Sequence, residues 1–169
     1  MQHTILSPNL LVLALSAFIP LVIGFIWYND MVFGKAWLAA RLLTEEREGN
    51  LPVTLISSYI LSLMLAFGLQ FAVIHQFHIF SILINEPGIA TPGSPMNNFY
   101  VDFMTKYGHN FRTFKHGAFH GVLVGIFMAL PVAGINALHE GRGIKYLLIN
   151  GGFWILSLAL MGAVICHFT

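Results

Sequence analysis

The feature that most constrains this chain is the absence of charge from four long windows of its sequence. Residues 1–29, 49–85, 116–139 and 146–169 contain no Asp, Glu, Lys or Arg. A helix needs about 20 apolar residues to cross the core of a bilayer, and a charge at its centre costs about 2.5–3.5 kcal/mol on insertion scales. Because each window is long enough to cross, the pattern predicts four transmembrane helices.

The composition places the chain among integral membrane proteins. Hydrophobic residues make up 57% of its 169 residues and charged residues 9%, whereas soluble domains carry about 25% charged residues. A formal net charge of +1 offers no basic surface for nucleic acid. We therefore expect membrane lipids, and not nucleic acid, among its partners.

The predicted fold is all-α, with one transmembrane domain over residues 1–169. Its bundle helices are expected at residues 8–28, 52–84, 116–138 and 146–168. Residues 31–43 mix Lys35 and Arg41 with apolar side chains, which is typical of a short helix at the membrane interface. Residues 86–115 are rich in Pro, Gly, Asn and aromatic side chains and predict a long extramembrane loop.

The distribution of cations predicts an orientation. If the helices alternate in direction, one side of the membrane has five cations and the other has three. The five are Lys35, Arg41, Arg47, Arg142 and Lys145. The three are Lys106, Arg112 and Lys115. Cytoplasmic loops carry an excess of Lys and Arg, so both termini are expected outside the cytoplasm.

Helix three contains three glycines at four-residue spacing, namely Gly117, Gly121 and Gly125. Residues four apart share a helical face, so one face is nearly bare of side chains. Another backbone can approach such a face closely. We interpret these glycines as helix-packing residues; the alternative is a glycine-lined path for a ligand.

Aromatic, polar and cationic residues gather where helices one and three leave the membrane. They are Trp27, Tyr28, Lys35, Trp37, Asn136, Glu140, Arg142 and Asn150. Trp27 and Tyr28 are expected near Asn136 and Glu140, with Arg142 pairing with Glu140 or with a lipid phosphate. One interpretation is structural: the aromatic rings lie at the membrane interface, and the polar side chains hold the turn between helices three and four. The other interpretation is a lipid-headgroup site.

The histidines form a second cluster. His75 and His78 end helix two, while His116 and His120 begin helix three and lie four residues apart. Such pairs are compatible with a transition metal or with a haem held between facing helices. Interfacial, hydrogen-bonded histidines without a cofactor are the simpler interpretation.

Sequence motifs give no positive sign of an enzyme. The chain has no HExxH or CxxCH motif, no nucleophile motif, no phosphate loop and no paired catalytic carboxylates. We therefore predict no catalytic residues.

Two segments resemble a known family. They are GFIWYNDMVFGKAWLAARLLTEEREGN, followed by Leu51 and Pro52, and INALHEGRGIKYLLINGGFWILSLALMGAVI. Together they are similar to domain-of-unknown-function family seventeen sixty-one, small integral membrane proteins of prokaryotes. The matching positions are Trp27, Tyr28, Phe33, Gly34, Lys35, Trp37, Asn136, Glu140, Arg142, Asn150, Gly151 and Gly162.

The resemblance implies a four-helix protein of the inner membrane with no assigned reaction. The segment at residues 86–115 is longer than the family pattern, and His75, His78 and His109 do not belong to it. Any function of these histidines is therefore expected to be particular to this chain.

Three functions remain open on the sequence alone. The first is a non-enzymatic membrane protein that self-associates or serves as an accessory subunit of a larger complex, with a lipid-headgroup site and no cofactor. The second is a metal-binding or haem-binding subunit for redox chemistry or sensing. The third is small-solute transport, although the spans lack the charges typical of coupled carriers.

Overall fold

A computed structural model of the chain describes residues 7–41 and 49–169. Seven helices occur in these ranges: α1 Leu10–Trp27, α2 Gly34–Arg41, α3 Leu51–Val73, α4 Gln76–Leu83, α5 Pro95–Tyr107, α6 Phe114–His139 and α7 Ile144–Phe168. Outside the described residues lie the first six residues and the end of the predicted interfacial helix at 42–43. Arg47, which the orientation argument counts, also lies outside them.

Four of the helices are long and apolar enough to cross a membrane, which confirms the predicted all-α fold with four spans. They are α1, α3, α6 and α7, with 18, 23, 26 and 25 residues. Asn9, Asn50 and Thr113 each cap the first turn of α1, α3 and α6 with a side-chain oxygen that accepts a backbone N–H. These caps satisfy donors that would otherwise lack a partner at the helix start.

The helix predicted over residues 52–84 is two helices in the structure. The first, α3, ends at Val73, and α4 begins at Gln76. Between them Ile74 is extended, with φ −117° and ψ 95°, and its side chain is fully buried. The chain therefore turns at His75 and does not continue along the α3 axis.

The segment predicted as a long loop contains a helix. Within residues 86–115, α5 covers Pro95–Tyr107 and ends at Gly108. The Ser94 hydroxyl oxygen accepts the Asn97 N–H at 3.1 Å, and Pro95 takes the first helical position, which suits a residue with a fixed φ. Together α4, α5 and their loops form a cap beyond the membrane spans, hereafter the cap.

The α6 helix widens before its proline. Residues Gly125–Ala129 form a π-helical segment, and Pro131 follows one residue after it. Proline has no N–H to donate, and its ring clashes with the carbonyl four residues before it in a regular α-helix. The wider turn accommodates the ring without ending the span.

The last helix is the centre of the bundle. α7 packs against α1, α3 and α6, while α3 also contacts α1 and α6, so α1 and α6 lie at opposite corners. Side chains of α1, α3 and α7 meet in the core. They are Leu13, Ala66, Leu69, Val73, Leu158, Met161 and Ile165.

The closest pair of helices is α6 and α7, and glycines make the approach possible. Gly117 lies against Gly162 and Cys166, Gly121 lies against the Leu158 carbonyl, and Gly125 faces the Ile155 backbone. A methyl group at any of these α6 positions would overlap with α7 backbone or Cβ atoms. The glycine face is thus occupied within the chain.

The spans alternate in direction, which defines two ends of the bundle. The cap end contains the start of α1 and α6 and the end of α3 and α7. The hairpin end contains Trp27, α2 and the turn of residues 140–143 between α6 and α7.

Candidate metal centre

The break between α3 and α4 positions the first histidine. His75 follows the buried Ile74 and precedes the first residue of α4. Gln76 is mostly buried, and its Nε2 donates to the Asn110 carbonyl at 2.8 Å. These two anchors hold the His75 side chain at the surface beside the start of α6.

The first turns of α6 position two further histidines, His116 and His120. The Thr113 hydroxyl oxygen accepts the His116 N–H at 3.2 Å and fixes where the helix begins. His116 and His120 are four residues apart and therefore lie on one face. Their ring centroids are 4.4 Å apart.

The three imidazoles converge on one point. His75 Nε2 lies 3.1 Å from His116 Nε2 and 3.2 Å from His120 Nε2. One ligand atom from each ring falls within 4.8 Å of the others. His75 is exposed, and His116 and His120 are half-buried.

Hydrogen bonding alone satisfies this arrangement poorly. A neutral imidazole nitrogen carries either one hydrogen or one lone pair. His75 Nε2 can therefore form one well-directed hydrogen bond, yet it faces two nitrogens at nearly equal distances. A cation at the centre would accept all three lone pairs at once.

The distances fit a metal ion. Zinc–nitrogen bonds of about 2.0–2.1 Å in a tetrahedron place two ligand nitrogens about 3.3–3.4 Å apart, close to the two distances here. Three neutral nitrogen ligands without a carboxylate favour zinc, copper, iron or nickel over magnesium or calcium. Three ligands also leave a fourth position open.

The geometry does not fit a haem. Axial ligands lie on opposite sides of the iron, so their nitrogens are separated by about twice a metal–nitrogen bond of ~2 Å. The nitrogen pairs that His75 forms here are 3.1 and 3.2 Å apart. A single ion suits these pairs better than a porphyrin.

Two predicted or neighbouring histidines lie outside the cluster. His78 is exposed on α4, where its backbone N–H donates to the His75 carbonyl. His109 lines a cavity beneath the cap. The structure thus brings together three of the four histidines that the sequence indicates as metal ligands.

A known protein family matches nearly the whole chain. The family described as "Protein of unknown function (DUF1761)" matches residues 11–166. This chain belongs to the DUF1761 family. No curated protein and no solved structure matches it.

Several residues of the DUF1761 resemblance meet at the hairpin end. Trp27 Nε1 donates to the Ile149 carbonyl at 3.1 Å, and the Tyr28 hydroxyl donates to Asn150 Oδ1 at 2.8 Å. The Tyr28 ring lies 5.0 Å from the Trp37 ring. Burial, together with the nearby Tyr146, raises the pKa of the Tyr28 hydroxyl, so it remains a donor.

The partners of Trp27 and Tyr28 differ from those that the sequence predicts. Both side chains bond to α7, and the expected neighbours Asn136 and Glu140 belong to the end of α6. The physical reason is that α7 lies between the two helices, which places α1 and α6 at opposite corners.

Among the remaining polar residues of the predicted cluster, Glu140 and Arg142 form a separate pair. Arg142 Nε pairs with Glu140 Oε2 at 3.4 Å, and its guanidinium lies 5.6 Å from the Tyr146 ring. Lys35 and Asn136 are exposed. Six of the eight residues therefore fall into two sets: Trp27, Tyr28, Trp37 and Asn150 lie where α1, α2 and α7 meet, and Glu140 and Arg142 pair in the turn after α6.

Proposed function

We propose that this DUF1761 protein is a multi-pass membrane protein that binds one transition-metal ion through His75, His116 and His120. The observation that supports the proposal is the convergence of three Nε2 atoms, with His75 at 3.1 and 3.2 Å from the other two. The exposure of His75 gives an ion access from solvent.

The ion would connect two distant parts of the chain. His75 belongs to the junction of α3 and α4, and it is separated from His116 by 41 residues and from His120 by 45. Metal binding would hold this junction against α6 and stabilise the cap in one position, since ligands that bind only the folded arrangement shift the population toward it. We infer a sensing role, in which metal occupancy sets the position of the cap.

Metal titration of the purified protein tests the proposal. After chelation and dialysis in detergent, Zn²⁺ and Co²⁺ are titrated separately, with binding measured by calorimetry, elemental analysis and, for Co²⁺, visible absorption. We expect one ion per chain and an affinity loss of more than about tenfold in His75→Ala, His116→Ala and His120→Ala.

His78→Ala is the matched control, because His78 is exposed, lies one turn from His75 and is outside the cluster. Its affinity should stay within about twofold of the parent chain, a free-energy change of about 0.4 kcal/mol. Protein without stoichiometric metal, or an equal loss in His78→Ala, would reject the metal site.

Assembly with other membrane proteins is the second candidate function. It is supported by the spans themselves: α3 buries five residues, all of them from Ser62 onward, and its first half is exposed within the single chain except for the half-buried Ser58 and Tyr59. Because Gly117, Gly121 and Gly125 are used against α7, self-association or an accessory role would need this outer surface of α3.

Mass measurement after purification in gentle detergent tests the assembly role. A complex with further copies or other subunits supports it. A lone monomer under every mild condition contradicts it and leaves the metal proposal intact.

A lipid-headgroup site at the hairpin end accompanies both candidates. An apolar groove of about 500 Å³ is lined by Trp27, Phe33, Ile144, Leu148 and Gly152, with Lys145 at its edge. We propose that an acyl chain follows the groove while its phosphate contacts Lys145. This end would face the cytoplasm of the inner membrane, where Lys and Arg are in excess.

The lipid site is tested with protein reconstituted in vesicles of phosphatidylcholine and about 20% phosphatidylglycerol, an anionic lipid. The phosphatidylglycerol that stays bound on repurification should fall in Lys145→Gln and stay unchanged in Lys115→Gln at the other end of the bundle. Equal retention in both variants contradicts the site.

A further inference from the structure

A large cavity lies at the cap end, between the cap and the ends of two spans. Its volume is about 1220 Å³, and its walls come from α4, α5, the loop at residues 108–112 and the ends of α1 and α7. Ligand pockets for drug-sized molecules usually measure about 300–1,000 Å³. The space is therefore sufficient for a sizeable molecule.

Arg112 provides the charge of this cavity. The side chain is half-buried, and its Nε donates to the Cys166 carbonyl at 3.0 Å, which fixes the guanidinium beside the last turn of α7. Within residues 7–41 and 49–169 the one ion pair joins Arg142 to Glu140. Arg112 thus has no carboxylate partner in this part of the chain.

An anion would offset the cost of this burial. Desolvation lowers the pKa of Arg112, which means that the surroundings disfavour its charge. A guanidinium presents five N–H donors in a planar fork that matches a carboxylate or a phosphate. Of these donors, the Nε–H is bonded within the described residues, to the Cys166 carbonyl.

The rest of the polar wall agrees with an anionic ligand. His109 and His167 line the cavity, and no Asp or Glu side chain does among the residues that the structure describes. Asn97 also lines it and is 6% exposed; its Nδ2 donates to the Ile89 carbonyl at 2.8 Å, while Oδ1 has no partner among the described residues. A ligand with a hydroxyl group or a protonated acid could supply that hydrogen bond.

The other wall is apolar and lies next to the membrane. Leu10 at the start of α1 is 72% exposed, and Phe168 at the end of α7 is 56% exposed. Phe80 on α4 and Val101 and Met104 on α5 continue the apolar lining on the cap side of the cavity. A molecule that enters from the outer edge of the bilayer would therefore keep an acyl chain in contact with apolar side chains.

We propose that this cavity binds a single-chain anionic amphiphile, a fatty acid or a lysophospholipid, with its acidic head at Arg112 and its chain along Leu10, Phe80 and Met104. The proposal rests on other residues than the metal proposal, because none of the three converging histidines lines the cavity.

Native mass spectrometry of the full chain, released from a maltoside detergent, tests the proposal. Oleate, lysophosphatidate and methyl oleate are titrated separately. We expect one bound oleate per chain and binding of the neutral ester weaker by about tenfold or more, the effect of one charge-assisted hydrogen bond. The comparison of oleate with lysophosphatidate identifies whether a carboxylate or a phosphate is preferred.

Two variants locate the binding. Arg112→Gln should weaken oleate binding about tenfold, whereas Lys106→Gln, which removes an exposed cation of the same cap outside the lining, should leave it within about twofold. Because Arg112 also contacts α7, Val101→Trp provides a second test that narrows the cavity and keeps the guanidinium.

Loss of oleate binding in Val101→Trp, with an unchanged unfolding midpoint, supports the site. Equal binding of the ester and the acid overturns the proposal. So does binding that survives both Arg112→Gln and Val101→Trp, or a parent chain that binds no oleate.

Discussion

Replacement of Gly121 by alanine should separate the two most closely packed helices. The new methyl group would overlap with the Leu158 carbonyl oxygen and lie 2.7 and 2.8 Å from the Leu158 carbonyl carbon and the Ala159 Cα. Ordinary contact begins near 3.4 Å, so the α7 backbone must move by about 0.7 Å to clear the Leu158 carbonyl carbon and by more to clear its oxygen. Overpacking of this kind costs about 1–3 kcal/mol.

Gly68→Ala makes the same chemical change at a site with free space. Gly68 lies in the middle of α3 and is exposed, and nothing lies within 4 Å of the place that a new methyl group would take. Alanine in a helix interior is more stable than glycine by about 0.5–1 kcal/mol. Both variants share this gain, so they should differ by the overpacking cost alone, about 1–3 kcal/mol in the free energy of unfolding.

Reversible unfolding in mixed micelles of dodecyl maltoside and dodecyl sulfate measures that difference, with the combined fluorescence of Trp27, Trp37 and Trp154 as the reporter. A Gly121→Ala chain as stable as Gly68→Ala would refute the packing argument. A lower unfolding midpoint in Gly121→Ala, together with a second, slower phase of unfolding, would show that α6 and α7 separate before the rest of the bundle unfolds.

Three further perturbations test other contacts. Tyr28→Phe removes the donor to Asn150 Oδ1 and should lower the free energy of unfolding by about 1 kcal/mol. In an Asn150→Leu background this loss should be smaller, and an equal loss in both backgrounds would contradict the hydrogen bond. Thr113→Ala removes the α6 cap at His116 and should cost about 1 kcal/mol and weaken metal binding, while Thr113→Ser should restore both. Acidification should weaken metal binding, because an imidazole must be neutral to bind a metal ion. A Co²⁺ affinity that stays the same between about pH 8 and pH 5 would count against histidine ligation.

The four spans could be predicted because a bilayer places a strict requirement on sequence. A charge in the middle of a span costs enough free energy to leave a clear pattern. The windows at residues 1–29 and 49–85 contain α1 and α3 whole, and those at 116–139 and 146–169 contain all of α6 and α7 except their first two residues, which include Lys115 and Lys145. The glycine spacing of α6 also indicated a close helix contact, although the sequence could not identify α7 as the partner. Partner choice depends on the packing of the whole bundle.

The break at His75 could not be predicted from local signals. The residues around it, Ala72 to Phe77, include no proline or glycine. The turn depends on the burial of Ile74 and on the bond from Gln76 to Asn110, which is 34 residues away. By contrast, Ser94 followed by Pro95 is typical of a helix start, so the sequence did contain a signal for α5. The high content of loop-forming residues around it favoured a loop instead.

Part of the histidine site could be predicted from the sequence. The four-residue spacing of His116 and His120 places them on one face, and the alternation of the spans places His75 at the same end of the bundle. Which of His75 and His78 would face α6 depends on the direction of the chain after the break. That direction is a tertiary property.

The short segment at residues 109–113 belongs to both proposed sites. His109 and Arg112 line the cavity, the Asn110 carbonyl holds the residue after His75, and the Phe111 ring lies 5.3 Å from the His116 ring. Phe111 has φ 61°, a conformation that few side chains tolerate, so this backbone has little freedom to adjust at one side alone. An amphiphile that shifts this segment, and with it His75 or His116, would change the affinity for the ion. Reciprocity then requires that the ion change the affinity for the amphiphile by the same factor.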